Sequence, residues 1–298
     1  MRVFLTGATG FVGSFVVPEL IGAGHQVVGL SRSEAGAEAL IRAGAEVVRG
    51  DVNDLDCLRT AADAADGVIH AAFNHDFSNM KQNSEDDRKV IETLGDVLGG
   101  SGRPLVITSG TGIARSKTGS LVVETDDHVT SAEFPRAASE EAADALIAKG
   151  GRVMVIRLPQ VHDTRRQGRI TWHIQIARQQ GRVAYVGEGN NRVPAVHASD
   201  AAKLYRLVLE KGQAGARYNA VAEEGVALRD IAGVIGEGLK MPVESITPEE
   251  ATEYFGWMAQ LAAADLAASG ALTRQEMRWD PTGPEMLTDL RNMDFSVA

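Results

Sequence analysis

Three glycines, each three residues from the next, follow the first apolar run of the 298-residue chain, in the segment TGATGFVG at residues 6–13. The first glycine of such a loop permits a tight turn, the second lets backbone N–H groups approach a pyrophosphate, and the third lets the next helix pack on its sheet. The phosphates then lie at the positive N-terminus of that helix. The spacing therefore predicts a dinucleotide-binding loop, whose candidate residues are Thr6, Gly7, Thr9, Gly10, Phe11, Val12 and Gly13.

The residues at the end of the second predicted strand bear on the choice between NAD and NADP. An acidic side chain there would bind a ribose 2′-hydroxyl, and it would repel a 2′-phosphate. The chain has LSRS at residues 30–33, with no acid, and the side chains of Ser31 and Arg32 suit a 2′-phosphate. NADP(H) is therefore the predicted cofactor; the alternative is that Arg32 is a solvated loop cation.

Side chains that can exchange a proton with a substrate follow two later strands. Asn74, His75 and Asp76 come after the fourth strand, and His162 comes after the sixth. Because ligands bind at the carboxyl ends of parallel strands, we predict His75 or His162 as the proton donor and Asn74 and Asp76 as substrate contacts. The alternative for the segment around His75 is a polar loop that caps the next element.

Two hydroxyls and three aromatic residues complete the set of candidates. Ser109 and Thr111 follow the fifth strand and can hold a carbonyl group, although hydroxyls at such turns also cap the backbone. Trp172, His173 and Trp257 are predicted to line an apolar substrate pocket; the alternative is that they are ordinary core. No His, Cys, Asp or Glu set has metal-ligand spacing, and no Gly-x-Ser-x-Gly elbow appears, which disfavours a metal site and a hydrolase triad.

These residues need a frame that brings strand ends together, and the first half of the chain supplies one. Short β-branched runs alternate there with longer alanine-rich segments, which is typical of a parallel sheet covered by helices on both faces. We therefore predict an α/β protein with a Rossmann-type doubly wound parallel sheet. The predicted strands are 3–7, 26–32, 45–51, 67–72, 104–110 and 152–160, and the predicted helices are 11–24, 34–44, 55–65, 86–102 and 139–151.

After residue 160 the alternation loosens and a smaller region follows. We predict helices at 170–181, within 192–212 with Ser199 as the cap, and around 228–240 and 248–263, with a strand at 216–223. The predicted division is a cofactor-binding domain of residues 1–160, to which 193–222 returns, and a substrate-binding region of residues 161–192 and 223–298.

Composition narrows the partners and the compartment. The net charge of −10, without a long basic run, disfavours a nucleic-acid partner, since a polyanion would be repelled. The single cysteine, Cys57, excludes an internal disulfide framework and fits a reducing compartment. The first strand leaves no room for a signal peptide and no apolar stretch would span a bilayer, so we expect a cytoplasmic protein that binds a small-molecule substrate and no membrane.

Six fragments in order resemble the short-chain dehydrogenase/reductase superfamily in its extended, epimerase/dehydratase-like form. TGATGFVG is similar to the family's phosphate loop, and VHASDAA at 196–202 to the segment that closes the substrate site. GDVND at 50–54 resembles the turn that holds the adenine, and VIHAA at 68–72 the strand end under the ribose. ITSG at 107–110 resembles the strand that ends in the catalytic Ser109, and RLP at 157–159 the turn beside the nicotinamide. The further cofactor residues that the resemblance implies are Asp51, Val52, Ala71, Ala72, Thr108 and Pro159.

One part of the resemblance is missing. The family's mechanism implies a Tyr and, four residues later, a Lys, but counting back from Arg157 these positions hold Phe134 and Ala138. The first tyrosine of the chain is Tyr185, and none of the four tyrosines has a Lys four residues on. The resemblance is therefore to atypical members without the pair, and we expect Phe134 to form an apolar wall of the substrate site.

The predicted function is NADPH-dependent reduction of a small ketone, imine or related apolar molecule, with a proton donor other than tyrosine. An NADP(H)-binding sensor without turnover is the alternative, because the Tyr-Lys pair is absent. A sugar-nucleotide epimerase or dehydratase ranks third, since those reactions need the missing tyrosine. The resemblance also allows a homodimer through the helices at 86–102 and 139–149.

Overall fold

The computed structural model describes residues 1–116 and 121–296. The strands in this part of the chain are β1 (Arg2–Thr6), β2 (Gln26–Ser31), β3 (Glu46–Arg49), β4 (Gly67–His70), β5 (Leu105–Gly110), β6 (Val153–Leu158), β7 (Gln160–His162), β8 (Val183–Val186), β9 (Arg192–His197), β10 (Arg217–Asn219), β11 (Glu223–Ala227) and β12 (Val243–Ile246). The α-helices are α1 (Gly13–Gly22), α2 (Glu34–Arg42), α3 (Leu55–Asp63), α4 (Met80–Leu98), α5 (Ala138–Ala148), α6 (Ile170–Gln180), α7 (Ala198–Lys211), α8 (Leu228–Leu239), α9 (Pro248–Phe255), α10 (Ala259–Ala263), α11 (Ala271–Met277) and α12 (Met286–Arg291).

Seven strands form one parallel sheet in the order β10-β6-β5-β4-β1-β2-β3. The chain steps outward from β1 to β3 in one direction and from β4 to β10 in the other, so the order reverses between β1 and β4. A reversal of this kind opens a crevice at the carboxyl ends of the strands, where ligands bind. The predicted doubly wound α/β fold is confirmed.

The central strands of this sheet are largely apolar because helices cover both of its faces. On one face Val16 and Leu20 of α1 pack with Leu204 of α7 against the sheet. On the other face Ile91 of α4 and Leu146 of α5 do the same. Burial on both sides fixes the strand ends firmly, which gives the polar residues that follow each strand a rigid base.

Two smaller sheets lie outside the central one. One has the order β11-β9-β7 and the other pairs β12 with β8. Of the segment 193–222, β10 joins the central sheet and α7 packs on it, whereas β9 belongs to the three-stranded sheet. No helix of residues 1–116 and 121–296 is long and apolar enough to cross a membrane.

Two details differ from the sequence prediction. The strand predicted at 152–160 is two strands, because Pro159 lacks an N–H and the chain turns there, so that β7 pairs with β9 instead of extending β6. Helix α7 begins at Ala198, and the side chain that caps it is that of His197, whose Nδ1 accepts the Ser199 N–H at 3.2 Å. Ser199 is thus inside the first turn rather than the cap.

Candidate cofactor cleft and active site

A cleft of about 770 Å³ opens at the carboxyl edge of the central sheet, where the strand order reverses. Its wall combines the glycine loop after β1 with the ends of β4, β5 and β6. Most of the predicted site residues meet there. Those that line the cleft are Gly7, Thr9, Gly10, Phe11, Val12, Gly13, Arg32, Val52, Ala71, Ala72, Asn74, His75, Thr108, Ser109, Thr111 and Pro159.

The glycine loop is built so that no side chain intervenes between backbone and ligand. Gly7 has φ +71°, which disfavours other residues, and a Cβ there would lie 2.6 Å from the backbone nitrogen of Ala72. A Cβ on Gly13 would overlap the carbonyl oxygen of Gly7. Because α1 begins at Gly13, the first N–H groups of the helix face the loop. This cradle of bare backbone at a helix N-terminus fits a dinucleotide pyrophosphate.

At the end of β2 the available cation is Arg32. Its side chain is 78% exposed and its Nη1 lies 3.5 Å from Asp51 Oδ2, a loose surface pair of little energetic weight. Ser31 is buried, and its hydroxyl donates to the carbonyl of Ser33 at 3.0 Å. Ser31 and Asp51 do not line the cleft, so Arg32 is the predicted residue of this group that remains placed to meet a ribose phosphate.

Thr6 lies under the cleft rather than in its wall. It is fully buried; its Oγ1 is 2.7 Å from His70 Nδ1 and accepts the Ala72 N–H at 3.3 Å. His70 Nε2 in turn is 2.9 Å from Asp87 Oδ1 on α4. The predicted ligand contact is therefore corrected: Thr6 ties the ends of β1 and β4 together and so fixes the strand end under the cofactor.

One cation in the cleft wall comes from Arg136, in the turn Pro135–Ala137 that precedes α5. Its Nη1 lies 3.1 Å from Asp87 Oδ2, its Nη2 donates to the Thr108 carbonyl at 2.9 Å, and the guanidinium stacks 4.1 Å from the ring centroid of Phe73. Burial acts to raise the pKa of Asp87, but the charges of Arg136 and His70 outweigh it and hold that pKa below its ordinary value. A positive charge is thus fixed in the wall.

The hydroxyl of Ser109 is committed to the protein. Ser109 Oγ donates to Glu140 Oε1 at 2.8 Å, and Arg157 Nε and Nη2 donate to the two oxygens of the same carboxylate, each at 2.8 Å. Burial acts to raise the pKa of Glu140, yet the Arg157 hydrogen bonds and charge keep it below its ordinary value. Because the Ser109 hydroxyl hydrogen is engaged with Glu140, the Ser109 oxygen can accept a hydrogen bond from a ligand in the cleft but cannot donate one.

Thr111 and His75 are the other polar groups of predicted function in this wall. Among the described residues, none accepts a hydrogen bond from the Thr111 hydroxyl, so this hydroxyl can donate one to a ligand. His75 is exposed at the rim, edge-on to Phe73 with ring centroids 5.3 Å apart. Burial of part of the ring and the Arg136 charge lower the pKa of His75 below 6.5, so the imidazole is mainly neutral at pH 7 and its protonated form gives up a proton more readily than an ordinary imidazolium.

Residues 3–221 match the NAD dependent epimerase/dehydratase family. The chain belongs to this family. An uncharacterized protein of Schizosaccharomyces pombe is 44% identical over 291 residues, which cover 97% of this chain and 98% of that protein. An uncharacterized protein of Saccharomyces cerevisiae is 40% identical over 294 residues, which cover 98% of each chain. The predicted resemblance to extended short-chain dehydrogenases/reductases is confirmed.

Solved structures of family enzymes share the fold along the whole chain. A dTDP-glucose 4,6-dehydratase from Streptomyces venezuelae, crystallised with NAD, is 19% identical, with a TM-score of 0.78 over 98% of this chain and 96% of that one. At this identity the likeness shows the architecture and not the substrate.

In this family member the positions expected to hold the Tyr-Lys pair do not face the cleft. Phe134 is 44% exposed and does not line it, and Ala138 is fully buried in the first turn of α5. The predicted apolar wall at Phe134 is thus corrected: the turn that starts at Pro135 directs Phe134 outward and Arg136 inward. The family fold here presents a guanidinium from the segment where a phenol and an amine were expected.

Tyr205 is the tyrosine nearest to this site, and its hydroxyl is also engaged. Tyr205 is fully buried on α7, with its OH 2.6 Å from Thr108 Oγ1. Thr108 donates its own proton to the His70 carbonyl at 2.9 Å, so the Tyr205 hydroxyl must be the donor to Thr108. Burial raises the pKa of Tyr205 well above its ordinary value. Tyr205 therefore does not replace the missing acid.

His162 does not line the cleft. It is fully buried on β7, and its Nδ1 lies 2.8 Å from Asp289 Oδ2 on α12. Burial lowers the pKa of His162 despite the hydrogen bond that its ring donates to Asp289. The prediction of His162 as proton donor is corrected, because the turn at Pro159 sends β7 into the second sheet. Among residues 1–116 and 121–296 no three His, Cys, Asp or Glu side chains form a metal site.

The three aromatic residues predicted for the substrate pocket pack away from the cleft. Trp172 and Trp257 contact each other edge-on, with ring centroids 5.3 Å apart, and Trp257 is 60% exposed. His173 is buried beside Phe255, and burial, with the nearby Arg169 charge, lowers its pKa to about 3. None of the three lines the cleft, so their predicted role is corrected in favour of packing within the smaller region.

In the loop after β4, Asn74 fits the predicted substrate contact and Asp76 fits the alternative of a capping residue. Asn74 lines the cleft, with its Nδ2 donating to Asn83 Oδ1 at 3.1 Å. Asp76 instead caps the short turn Phe77–Asn79, where its Oδ1 accepts the Ser78 N–H at 3.1 Å. Asp76 does not line the cleft, and its predicted substrate contact is corrected to a capping role.

Several residues of the cleft wall were not predicted. Arg136 carried a usable signal, since it is a lone cation inside the segment already singled out, and Gln160 follows the predicted nicotinamide turn directly. Leu261 and Leu266 carried none, because only the folded chain brings them to the cleft. The full unpredicted set is Leu30, Asn53, Phe73, Gly110, Gly112, Arg136, Leu158, Gln160, Val161, Gly168, Arg169, Val193, Pro194, Tyr205, Leu261 and Leu266.

Proposed function

We propose that the protein is an NADPH-dependent reductase that adds hydride to the C=O or C=N carbon of a small substrate. The observation that carries the proposal is Arg136, a guanidinium fixed by Asp87 and by the Thr108 carbonyl in the wall of the cofactor cleft. When hydride reaches a carbonyl carbon, the π pair moves onto oxygen and negative charge develops there. A fixed cation beside that oxygen stabilises the transition state more than the ground state.

The remaining chemistry is assigned to two further side chains. The nicotinamide cofactor supplies the hydride when bound. Thr111 donates its unengaged hydroxyl to the substrate oxygen, and the His75 imidazolium gives that oxygen its proton. His75 recovers a proton from solvent because it lies exposed at the rim. An imine that arrives protonated does not need the last step.

The preference for NADPH rests on Arg32. Its loosely held guanidinium is free to leave Asp51 for a 2′-phosphate, which a planar guanidinium can meet with two parallel hydrogen bonds. No acidic residue of the described chain lines the cleft, although the Asp51 carboxylate lies 3.5 Å from Arg32.

A cofactor-binding protein without turnover is the second candidate, and the Ser109–Glu140 hydrogen bond favours it. Because its hydroxyl donates to a buried carboxylate, Ser109 does not donate a hydrogen bond to a substrate carbonyl in the way the family mechanism implies. Under this alternative the cleft would bind NADPH and leave substrates unreduced.

The absorbance of the reduced nicotinamide at about 340 nm reports oxidation of NADPH, and this measurement separates the two candidates. The purified protein is supplied with ketones, aldehydes and imines, with NADH in parallel, while cofactor affinity is measured by fluorescence titration. The proposal expects turnover of at least one class with a lower KM for NADPH than for NADH. Tight NADPH binding with no turnover of any compound in the panel would exclude the reductase and support the cofactor-binding protein without turnover.

A further inference from the structure

Arg169 is the residue directly before α6, and its backbone is firmly placed in the cleft wall. Its N–H donates to Gln160 Oε1 at 3.1 Å, while Gln160 Nε2 donates to the carbonyl of Val161 at 3.2 Å and also to that of Gln167. The preceding Gly168 has φ +45°, and a Cβ there would lie 2.9 Å from the Val161 carbonyl oxygen. The guanidinium therefore extends from a rigid base.

No carboxylate partners this guanidinium. Among the described residues, none forms a hydrogen bond or an ion pair with the Arg169 side chain. The two other arginines deep in this region are each paired, Arg157 with Glu140 and Arg136 with Asp87. Burial lowers the pKa of Arg169 to about 10, and the nearby His173 is neutral because its pKa is about 3. An uncompensated charge in a partly buried position is costly, so a partner from outside the chain is the simplest reason for it.

The charges of the cleft agree with an anionic ligand. The chain carries a net charge of −10, yet the described residues that line the cleft include three arginines and no Asp or Glu. Arg32 is placed for the adenine ribose and Arg136 is paired with Asp87. Of these three arginines, Arg169 is the one whose charge is paired neither with a carboxylate of the described residues nor with the proposed cofactor.

The cofactor phosphates have a different neighbour. They are expected at the glycine loop, where Arg166 lies with its guanidinium carbon 5.6 Å from the ring centroid of Phe11. Arg169 instead adjoins Gln160, which follows the turn at Pro159. This places Arg169 on the side of the cleft where hydride transfer would occur rather than on the pyrophosphate side.

We propose that Arg169 binds an anionic group of the substrate, a carboxylate or a phosphate, so that the compound reduced is a small carbonyl acid or a carbonyl phosphate ester. This inference rests on the proposed reductase function. It replaces the apolar substrate predicted from the sequence, because the aromatic residues on which that prediction depended pack away from the cleft. A planar guanidinium meets either anion with two parallel hydrogen bonds, and a neutral analogue would leave the charge unpaired.

Matched substrates test the inference in the full-length protein. 2-Oxobutanoate is compared with butanone, and dihydroxyacetone phosphate with dihydroxyacetone, for wild type, Arg169→Gln and the exposed neighbour Arg165→Gln as control. We expect Arg169→Gln to raise KM for the anionic member of a pair about 10- to 100-fold, with less than about threefold change for the neutral member and for NADPH binding. The pair with the larger loss distinguishes carboxylate from phosphate.

A binding measurement keeps the inference separate from the reductase proposal. The protein–NADP⁺ complex is titrated calorimetrically with 2-oxobutanoate and with inorganic phosphate. If no carbonyl compound is reduced but one anion binds wild type and Arg165→Gln and not Arg169→Gln, the anion site stands and the reductase proposal fails. Equal losses for neutral and anionic substrates, a matching loss of NADPH affinity, or no binding of either anion by wild type would overturn the inference.

Discussion

Arg136 Nη1 lies 3.1 Å from Asp87 Oδ2, and this ion pair holds a guanidinium in the cleft wall between the positions where the family was expected to keep a tyrosine and a lysine. Asp87 also lies 2.9 Å from His70 Nε2 and contacts the Ser139 hydroxyl. The carboxylate therefore joins α4, the end of β4 and the start of α5 at one point. The same residue supports both the fold and the charge of the site.

Replacing Asp87 tests its structural role. We expect Asp87→Asn to lower the free energy of unfolding by about 3 kcal/mol, because it leaves the largely buried Arg136 charge without a counter-ion. Asp86→Asn, one residue earlier and paired with Lys89 near the surface, is the matched control, with a change below about 0.5 kcal/mol. Urea denaturation of both variants measures the difference, and equal values would contradict the assignment.

The effect of Asp87 depends on pH with a defined sign. Its pKa is lowered in the folded state, so its charge stabilises the protein above the ordinary carboxyl pKa of 3.8, and that contribution is lost as the pH falls through the lower folded-state value. The difference in unfolding free energy between wild type and Asp87→Asn should be fully present at pH 6, roughly two units above the ordinary carboxyl pKa. It should narrow as the pH falls below that ordinary pKa. A gap that stays constant into acid would show that the carboxylate charge is not its cause.

The hydroxyls of Ser109, at the end of β5, and of Thr111, directly after it, are predicted to differ in importance. The Ser109 hydroxyl donates its hydrogen bond to Glu140, whereas the Thr111 hydroxyl is available to a ligand. We expect Thr111→Val to lower kcat by about 100-fold and Ser109→Ala by less than about tenfold. Steady-state kinetics on both variants with the best substrate of the panel checks the order. A larger loss for Ser109→Ala would mean that Ser109 exchanges Glu140 for the substrate.

Proton donation by His75 predicts a pH profile. Burial and the Arg136 charge lower the pKa of His75 below 6.5, and only the protonated ring can donate. The rate of carbonyl reduction should therefore be highest in acid and fall as the pH rises through a value below 6.5. In His75→Asn that inflection should vanish. An unchanged profile in the variant would assign the proton to ordered water or to another group.

Cofactor choice is tested at Arg32. We expect Arg32→Ala to raise the Kd of NADPH by about 10- to 100-fold, since hydrogen bonds between charged groups are lost, and to leave the Kd of NADH within about threefold. Arg42→Ala, an exposed arginine of the following helix paired with Glu38, is the control and should change neither. Equal losses for NADPH and NADH would remove the assignment to the 2′-phosphate.

Local sequence predicted the parts of this protein that are built from neighbouring residues. The glycine loop needs only its own spacing and a strand before it, and the buried strands need only continuous apolar runs, so both were predicted within a few residues. The ends of β4 and β5 followed from the same alternation. The carboxyl edge of the sheet, and with it Ser109 and Thr111, was therefore placed correctly in the cleft.

Long-range contacts set the rest of the site. The inward turn of Arg136 depends on Asp87 and Thr108, which lie 49 and 28 residues away along the chain. His162 adjoins the predicted nicotinamide turn in sequence, yet its pairing with Asp289 at the other end of the chain removes it from the cleft. That Arg169 lacks a partner is likewise a property of the folded surroundings and not of its neighbours in sequence.

The central claim is that the Arg136 charge promotes hydride transfer, and single-turnover reduction by Arg136→Met measures it most directly. Arg136→Lys, which keeps a positive charge, and thermal unfolding of both variants separate chemistry from folding. The account predicts a rate of hydride transfer about 10²- to 10³-fold lower in the folded Met variant, partial recovery in the Lys variant and NADPH affinity within about threefold of wild type. A folded Met variant that transfers hydride at the wild-type rate would contradict it.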